Sequence, residues 1–277
     1  MCHSATTVFP PEPPVSACAC SPRFSASWRA PDRARRQGGA SVCVLVAVRR
    51  DAPSQLIVGA NRDERTSRPW MPPALLLPEP PVFGGRDLVG GGSWLAVNLD
   101  TGVVVGVTNA RLGAPAGERS RGELVVSVAR EAGAAQGVAL LSELDLSCYG
   151  PFNLLVADAE TMWTATNTPG PLLRREAGGV VVLANDALTA QSERVARTVR
   201  RAEAAAAGAA PLEKAFEALL ADHEGPDPLC RHGVGYGTVC ATILSLAARR
   251  VQRYRFAAGP PCRTPFMDVP LPAPSYS

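Results

Sequence analysis

The sequence predicts an α+β fold in which two mainly antiparallel sheets pack together, with helices on their outer sides. Apolar runs of strand length recur along the chain, and short polar turns join several of them as in antiparallel hairpins. These runs fall into two sets, separated by helical patterns. The chain has 277 residues and is 46% hydrophobic, which is enough for one large domain with a full core.

The first set of strands begins where the sequence changes from Pro-rich to apolar. The expected strands are 44–48, 56–60, 94–97 and 103–108. They form two hairpins, the first closed by the polar residues 49–54. The Pro-rich segment 69–81 between them predicts a loop, because proline lacks the amide proton that a central strand needs. The Gly-rich run 84–92 contains no lysine and indicates a tight turn, with Arg86 and Asp87 as a structural pair.

Helical patterns follow, and strand patterns then return. Ser120 begins a capping-box pattern that predicts a helix to about Gln136. The later strands are expected at 153–157, 162–166, 172–174, 180–184, 238–246 and 249–256, and the later helices at 189–206 and 211–223. Thr189 is the expected N-cap of the first of these two helices.

The two ends of the chain differ in composition from the body. Residues 1–41 contain six prolines and five arginines without an apolar period, which predicts a disordered leader upstream of the true start. We expect a single domain at 42–265 and a Pro-rich tail at 266–277. Val42 can serve as a bacterial initiation codon, so that removal of the initiator methionine would expose Cys43 as the first residue.

Charge and composition exclude several functional classes. The only lysine, Lys214, lies in an apparent surface helix, which argues against a Walker A phosphate loop and a pyridoxal phosphate enzyme. The leader carries the entire formal charge of +3, since its five arginines face two acids, and a neutral body argues against nucleic acid as partner. No apolar run is long enough to span a membrane. Eight cysteines without CxxC spacing favour free thiols and a cytoplasmic location.

Cys43 is the first candidate for chemistry. As an internal residue, it is best interpreted as a small hydrophobic side chain in a buried strand. As the first residue of a mature chain, it would have an α-amino group with a pKa near about 8 within reach of its thiol, able to act as the general base. A nucleophile of this kind needs no histidine, which suits a chain that has only three.

Four polar residues follow the second expected strand and form a cluster, Asn61, Arg62, Asp63 and Glu64. Pairing of the first two strands as a hairpin brings this cluster close to Cys43. Arg62 would then stabilise the thiolate and Asp63 would hold the amine. A salt-bridged turn explains the same four residues equally well.

Further polar positions have both a chemical and an ordinary interpretation. Asn109 and Asn185 each follow a β-rich run, where two amide donors would form an oxyanion hole. Periodicity alone favours ordinary turn positions for both. Cys230 and His232 lie near Cys240 in sequence and suggest a Cys/His nucleophile or a metal site, but no third partner is evident, so a plain loop with no metal and no cofactor is expected.

The motifs together resemble the NRDE family, which includes the transport and Golgi organisation protein 2 homologues. The resemblance covers roughly 42–265 and rests on an ordered series of motifs: Cys-Val-Leu-Val-Ala-Val, Ala-Asn-Arg-Asp-Glu-Arg, Gly-Gly-Arg-Asp-Leu-Val-Gly-Gly-Gly-Ser-Trp, Val-Thr-Asn-Ala-Arg, Ser-Arg-Gly-Glu-Leu-Val and Tyr-Gly-Thr. That family in turn is similar to the cysteine-type N-terminal-nucleophile hydrolases, such as penicillin V acylase and conjugated bile salt hydrolase. The resemblance therefore implies a four-layer αββα sandwich.

The resemblance also implies roles for individual residues. The implied catalytic residues are Cys43, Arg62, Asp63, Asn109 and Asn185, and the other motif residues are Asn61, Glu64, Arg86, Trp94 and Arg121. The chain departs from the family at Val239, where relatives commonly carry an arginine after Tyr-Gly-Thr.

We therefore expect a hydrolase of a linear, non-peptide amide C–N bond that uses Cys43 as its nucleophile. The alternative is a non-catalytic binding or trafficking protein that holds a lipid-like or haem-like ligand in the same pocket. A weaker third option is an acyltransferase. The expected partner is a small amide or lipid-like molecule, and a homo-oligomer is compatible with the sequence.

Overall fold

A computed structural model describes residues 6–8, 43–51, 54–110, 117–188, 192–225 and 227–272. The strands are β1 (Thr6–Val8), β2 (Val44–Asp51), β3 (Ser54–Arg65), β4 (Trp70–Leu77), β5 (Val82–Asp87), β6 (Leu95–Asn98), β7 (Val104–Asn109), β8 (Phe152–Ala157), β9 (Met162–Thr166), β10 (Leu172–Arg175), β11 (Val180–Leu183), β12 (His232–Gly233), β13 (Tyr236–Ala247), β14 (Arg250–Ala257) and β15 (Met267–Asp268). The helices are α1 (Arg121–Ala129), α2 (Ala134–Glu143), α3 (Glu193–Ala207) and α4 (Leu212–Leu220).

The strands form two antiparallel sheets. The first sheet has the order β1-β10-β9-β8-β7-β6-β5-β4. The second has the order β11-β2-β3-β13-β14-β15, with β12 also paired to β13. In each sheet, hairpins join strands that are neighbours in sequence, such as β2 with β3 and β13 with β14.

Side-chain alternation along the strands separates three apolar cores. In β2, Leu45 and Ala47 pack between the two sheets, whereas Val44, Val46 and Val48 pack on the side of α3 and α4. In β7, likewise, one valine faces the other sheet and the next faces α1 and α2. A sheet that buries both faces needs apolar residues at every position, as these runs provide. The order of layers is helices, sheet, sheet, helices, which confirms the expected αββα sandwich.

Several expected elements have different boundaries in the structure. The helix expected from Ser120 to Gln136 is two helices, because α1 ends at Ala129 and α2 begins after Gly133, whose backbone is extended. The Pro-rich segment 69–81 contains β4, which takes the edge of the first sheet, where missing amide protons are tolerated. The Gly-rich run begins within β5 and not in a turn.

Short strands occur near both ends of the chain. Thr6–Val8 of the expected leader pairs with β10, and 9–42 lies outside the described residues. Met267–Asp268 of the tail pairs with β14. Thr189, the expected N-cap, also lies outside the described residues, and Ser192 caps α3.

The state of the cysteines differs in part from the expected free thiols. Cys43, Cys230, Cys240 and Cys262 are free thiols, whereas Cys148 is disulfide-bonded, so the expectation of free thiols is wrong at that residue. Among the described residues, no helix is long and apolar enough to cross a membrane.

Candidate functional site

Cys43 lies at the start of β2, in the interior of the second sheet. The β2–β3 register pairs Val44 with Asn61, and one more step places Cys43 opposite Arg62. On the other side, the β11–β2 register pairs Leu183 with Leu45, and Asn185 follows the end of β11 by two residues, as Cys43 precedes Leu45 by two. The Cys43 thiol is half-buried and lies 3.8 Å from the carbonyl oxygen of Asp63. The expected proximity of Cys43 to the Asn61–Glu64 cluster is therefore present.

The four residues Asn61 to Glu64 lie inside β3, not in a turn after it. The structure corrects the expected strand end at Ala60, because β3 runs on to Arg65 and pairs with β13 from Gln55 to Arg65. Successive strand residues point to opposite faces. Arg62 and Glu64 accordingly contact groups near the first sheet, and Asn61 contacts the helix layer.

Arg62 is the central charge on the side of β3 that faces the first sheet. Its guanidinium lies 4.6 Å from the ring centroid of Trp94, and its Nη2 donates to Asp87 Oδ2 at 3.0 Å. The side chain is only 4% exposed. Its Nη1 is buried and has no hydrogen-bond partner among the described residues. The strand next to Cys43 therefore carries a buried cationic donor, Arg62 Nη1, that has no partner among the described residues.

The carboxylate of Asp87 forms ion pairs with both Arg62 and Arg68. Its carboxylate accepts from Arg68 Nε at 2.9 Å and from the backbone amides of Val89 and Gly90 at 2.8 Å each. Burial alone would raise the pKa of Asp87, but the guanidinium groups of Arg68 and Arg62 hold it below its usual value. The expected pair of Arg86 with Asp87 is wrong, since neighbours in a strand face opposite ways, and Arg86 donates to the carbonyl of Leu76.

A second arginine, Arg121, is the first residue of α1. Ser120 caps this helix, and the turn before β6 packs closely against it, since a Cβ on Gly92 would lie 2.1 Å from Gly122. Arg121 Nη1 donates to the carbonyl of Pro151 at 2.9 Å. Burial lowers the pKa of Arg121, and the negative charge of a Cys43 thiolate opposes that shift. The thiol and this guanidinium are thus electrostatic neighbours.

Asp63 is fully buried in contact with β13 and the segment before it. Its Oδ1 accepts from the hydroxyl of Thr238 at 2.5 Å, and its Oδ2 lies 3.9 Å from Arg231 Nε. Burial raises the pKa of Asp63 to about 7, against the lowering effects of Thr238, Arg194 and Arg231. The carboxyl group can therefore exchange a proton near neutral pH.

Asn109 and Asn185 meet where the two sheets face each other. Asn185 Nδ2 donates to the carbonyl of Asn109 at 2.8 Å. The first sheet holds the residues beside Asn185 in place, because Thr108 Oγ1 and Asn153 Nδ2 both donate to the carbonyl of Ala184, at 2.7 and 3.0 Å. The side-chain amide of Asn109 is half-buried and makes no hydrogen bond to the described residues.

The remaining expected residues are less central. Glu64 Oε2 lies 3.5 Å from Arg68 Nε, as part of the charge cluster around Asp87. Asn61 Nδ2 donates to the carbonyls of Leu220 and Leu229, at 2.9 Å each, and so has a structural role. Val239, the departure from the family pattern, lies at an irregularity of β13 between Thr238 and Cys240.

Sequence reasoning gave no functional role to four supporting residues, which are Asp87, Asn153, Arg231 and Thr238. Asp87 and Arg231 come from distant segments, and only the folded chain brings them to β3. Thr238 carried a usable signal, because it belongs to the Tyr-Gly-Thr motif. Asn153 is a polar residue at the start of an apolar strand, which is a weak signal by itself.

A comparison with a solved structure supports the fold. The chain is similar to the Caenorhabditis elegans N-acylethanolamine-hydrolyzing acid amidase ortholog, with a TM-score of 0.53 and 14% identity, over 73% of this chain and 92% of that chain. This neighbour has the N-terminal-nucleophile hydrolase fold, which agrees with the four layers described above. A Silicibacter pomeroyi protein of the family DUF1028 gives a TM-score of 0.42 and 14% identity, over 80% of this chain and 85% of that chain.

Sequence comparison identifies the family. No curated protein matches the chain. The family model described as Transport and Golgi organisation 2 matches residues 42–255, which is most of the chain, and this range begins one residue before Cys43. The chain belongs to the Transport and Golgi organisation 2 family.

Proposed function

We propose that the protein is a hydrolase of linear, non-peptide amide bonds in which Cys43, as the first residue of the mature chain, is the nucleophile. The observation that carries the proposal is the position of Cys43 directly before β2 in the second sheet, with its thiol 3.8 Å from the Asp63 carbonyl on β3, while Asn185 follows β11, the strand on the other side of β2. The similarity to an N-terminal-nucleophile hydrolase fold supports the assignment of Cys43 as the nucleophile.

The proposed reaction has two steps. The α-amino group of Cys43 accepts the thiol proton, and the sulfur attacks the carbonyl carbon of the amide. The tetrahedral intermediate collapses to a thioester as the C–N bond breaks, and the amine leaves with the proton that the α-amino group returns. Water, activated by the same amine, then attacks the thioester and releases the carboxylic acid and the free thiol.

The charges around Cys43 suit a thiolate. Arg121 is its electrostatic neighbour, and the buried Nη1 of Arg62 is a donor without a partner among the described residues. Cations of this kind lower the free energy of the thiolate relative to the thiol. Asp63, whose pKa is raised to about 7, is proposed to hold the α-amino group in position.

The oxyanion would be stabilised by amide donors from both sheets. Asn109 brings a half-buried side-chain amide that makes no hydrogen bond to the described residues. Asn185 lies against it, fixed by the 2.8 Å hydrogen bond to the Asn109 carbonyl. Donors that are already oriented before reaction stabilise the developing charge without reorganisation.

The proposal requires a free amine at Cys43. A chain that keeps residues 1–42 has a peptide amide at this position, and that amide is not a base at neutral pH. We therefore expect a protein that starts at Cys43 to be active and the full chain to be inactive.

The test compares three proteins: the full chain, a chain that begins with Met before Cys43 and loses the methionine, and the same short chain with Cys43→Ala. The first substrate is an N-acylethanolamine, because the similar Caenorhabditis elegans protein is an N-acylethanolamine-hydrolyzing amidase ortholog. Shorter linear N-acyl amides follow, and released amine is measured. Hydrolysis by the short chain alone supports the proposal.

Equal hydrolysis by the full chain and the short chain would contradict the role of the amine, and hydrolysis that survives Cys43→Ala would contradict the nucleophile. Binding of a lipid-like or haem-like ligand that is indifferent to Cys43→Ala, with no hydrolysis of any amide, would instead support the non-catalytic alternative.

A further inference from the structure

A second cluster of thiol and imidazole groups lies outside the Cys43 site. Cys230 precedes β12, His232 lies in β12, and Cys262 lies in the turn after β14. The two sulfurs are 3.6 Å apart, and His232 Nε2 lies 3.1 Å from the sulfur of Cys262 and 3.9 Å from that of Cys230. The sequence suggests Cys240 as a neighbour, but the third partner is Cys262, from 30 residues further along the chain than His232.

These distances match the edges of a tetrahedral metal site. With Zn–S bonds of about 2.3 Å and Zn–N bonds of about 2.0–2.1 Å, a tetrahedral centre separates two sulfurs by about 3.8 Å and a sulfur from a nitrogen by about 3.6 Å. The observed S–S separation is 3.6 Å, and the two S–N separations lie on either side of the ideal value. Two thiolates and one imidazole are a donor set that favours zinc over calcium or magnesium.

The backbone holds two of the three donors rigidly. The amide of Cys230 donates to the carbonyl of Asp222 at 2.8 Å. Arg231, between the two ligands, exchanges backbone and side-chain hydrogen bonds with Thr238, and His232 pairs with Gly237 in the β12–β13 ladder. Donors fixed in this way lose little conformational entropy when a metal binds.

The candidate for a fourth ligand is His223, whose ring lies next to that of His232. The ring of His223 is exposed and packs edge-on against that of His232, with centroids 5.9 Å apart. Its Nδ1 lies 3.1 Å from the carbonyl of Ala221. In the tautomer that donates this hydrogen bond, Nε2 keeps its lone pair, and a backbone carbonyl on the other ring nitrogen is the usual companion of a metal-bound histidine.

We propose that Cys230, His232 and Cys262 form a zinc site, with His223 as the fourth ligand. The site would fasten the segment before β13 to the turn after β14. This segment also carries Arg231, whose guanidinium reaches Asp63, and Leu229, whose carbonyl accepts from Asn61. The inference does not depend on the proposed hydrolase activity, because the site lies on the helix side of β3.

The test is zinc stoichiometry by native mass spectrometry on the reduced full chain, after removal of metal with a chelator and addition of Zn²⁺. We expect one tightly bound ion per chain. Cys230→Ser, Cys262→Ser and His232→Ala should each weaken zinc binding more than about 100-fold, because the loss of an outer-shell partner alone costs 10–100-fold. His223→Ala should weaken it less. Cys43→Ser removes a thiol elsewhere and should leave the stoichiometry unchanged.

Thermal stability and Co²⁺ absorption distinguish the loss of a zinc ligand from poor folding of a variant. Zinc should raise the Tm of the wild type by several degrees and leave the Tm of Cys262→Ser unchanged, and Co²⁺ should give the visible absorption of a tetrahedral thiolate site only where both cysteines are present. Reduced wild type that binds no zinc would overturn the proposal, as would full retention of zinc by Cys262→Ser. A disulfide between Cys230 and Cys262 in protein purified under reducing conditions would also overturn it.

Discussion

The two faces of the Asn61–Glu64 segment use buried polar groups in different ways. On the face toward the first sheet, Arg62 stacks on Trp94 and pairs with Asp87, but its buried Nη1 has no hydrogen-bond partner in the described part of the chain. On the helix face, Asn61 holds two carbonyls. The same segment of β3 therefore carries the positive charge of Arg62 on the face toward the first sheet and, through Asn61, hydrogen bonds to the helix layer on the other face.

Because of this difference, substitutions on the two faces should affect different properties: the free energy of unfolding on one face, and also the reaction at Cys43 on the other. Burial of a polar group costs free energy unless hydrogen bonds or ion pairs compensate for it. On the helix face, the Asn61 side chain binds two backbone carbonyls, so changes to Asn61 should mainly alter the free energy of unfolding. The face toward the first sheet carries the Arg62 Nη1, a buried donor for which the described residues supply no partner, so changes there should also alter the acylation of Cys43.

The largest effect is expected from Arg62→Met. Removal of one partner of a buried ion pair leaves the other buried charge less well compensated, which costs about 3–5 kcal/mol in the free energy of unfolding. Urea unfolding at neutral pH measures this cost. Arg68→Met is the matched control on the same carboxylate, and its cost should be smaller, since Arg68 is 23% exposed and Arg62 is 4% exposed. Equal costs would contradict the distinct role of Arg62.

Asn109→Ala should act on the reaction and not on the fold. Removal of one oxyanion donor slows acyl transfer by about 10²–10³-fold, or about 2.7–4 kcal/mol of activation free energy. The unfolding free energy should change little, because the side-chain amide makes no hydrogen bond to the described residues. Single-turnover acylation of Cys43 measures the rate, and urea unfolding measures the free energy of unfolding. A large loss of stability with an unchanged rate would make Asn109 an ordinary turn residue.

Asn61→Ala should show the opposite behaviour. The substitution removes two hydrogen bonds and leaves the carbonyls of Leu220 and Leu229 without their donor, at a cost of about 2 kcal/mol in the unfolding free energy. Acylation of Cys43 should be affected much less than by Asn109→Ala. The measurement is the same pair of assays, and a rate loss larger than that of Asn109→Ala would remove the distinction between the two faces.

Asp63→Asn should change how stability depends on pH. Burial raises the pKa of Asp63 to about 7 in the folded protein from its ordinary value of 3.8, so the folded state holds this proton more tightly than the unfolded state. The contribution is fully present below the unfolded pKa and is lost as the pH rises toward 7, with a slope of up to about 1.4 kcal/mol per pH unit.

Relative to the wild type, the Asp63→Asn protein should therefore gain stability as the pH rises from the unfolded pKa toward 7, and it should show a flatter profile. Urea unfolding at several pH values in this interval tests the prediction. Parallel profiles for the two proteins would show that Asp63 titrates in the folded state as it does in the unfolded chain.

The sequence is most informative where local patterns decide the structure. Apolar periodicity and turns predict the β2–β3 hairpin, the strands from Phe152 to Leu183 and the closing β13–β14 hairpin. The expected end of β3 is wrong because Asn61 to Glu64 resemble a turn, and only the long pairing with β13 keeps them in a strand. The single helix predicted from Ser120 to Gln136 is wrong because Gly133, with its extended backbone, separates α1 from α2.

The site is predictable to the extent that neighbouring strands determine it. Cys43 and Arg62 meet through a local hairpin, and Asn109 and Asn185 stand out as polar residues at strand ends. Asp87, Arg231 and Cys262 depend on contacts between distant segments, which no local pattern encodes.

The central claim is that Cys43, with a free α-amino group, is the nucleophile. The most direct measurement is the intact mass of the chain that starts at Cys43 after reaction with an activated acyl probe, followed by peptide mapping. The account predicts one acyl group per chain, located on Cys43, and none on the full chain under the same conditions. An unmodified Cys43 in the short chain, or an acyl group located on another cysteine, would contradict it.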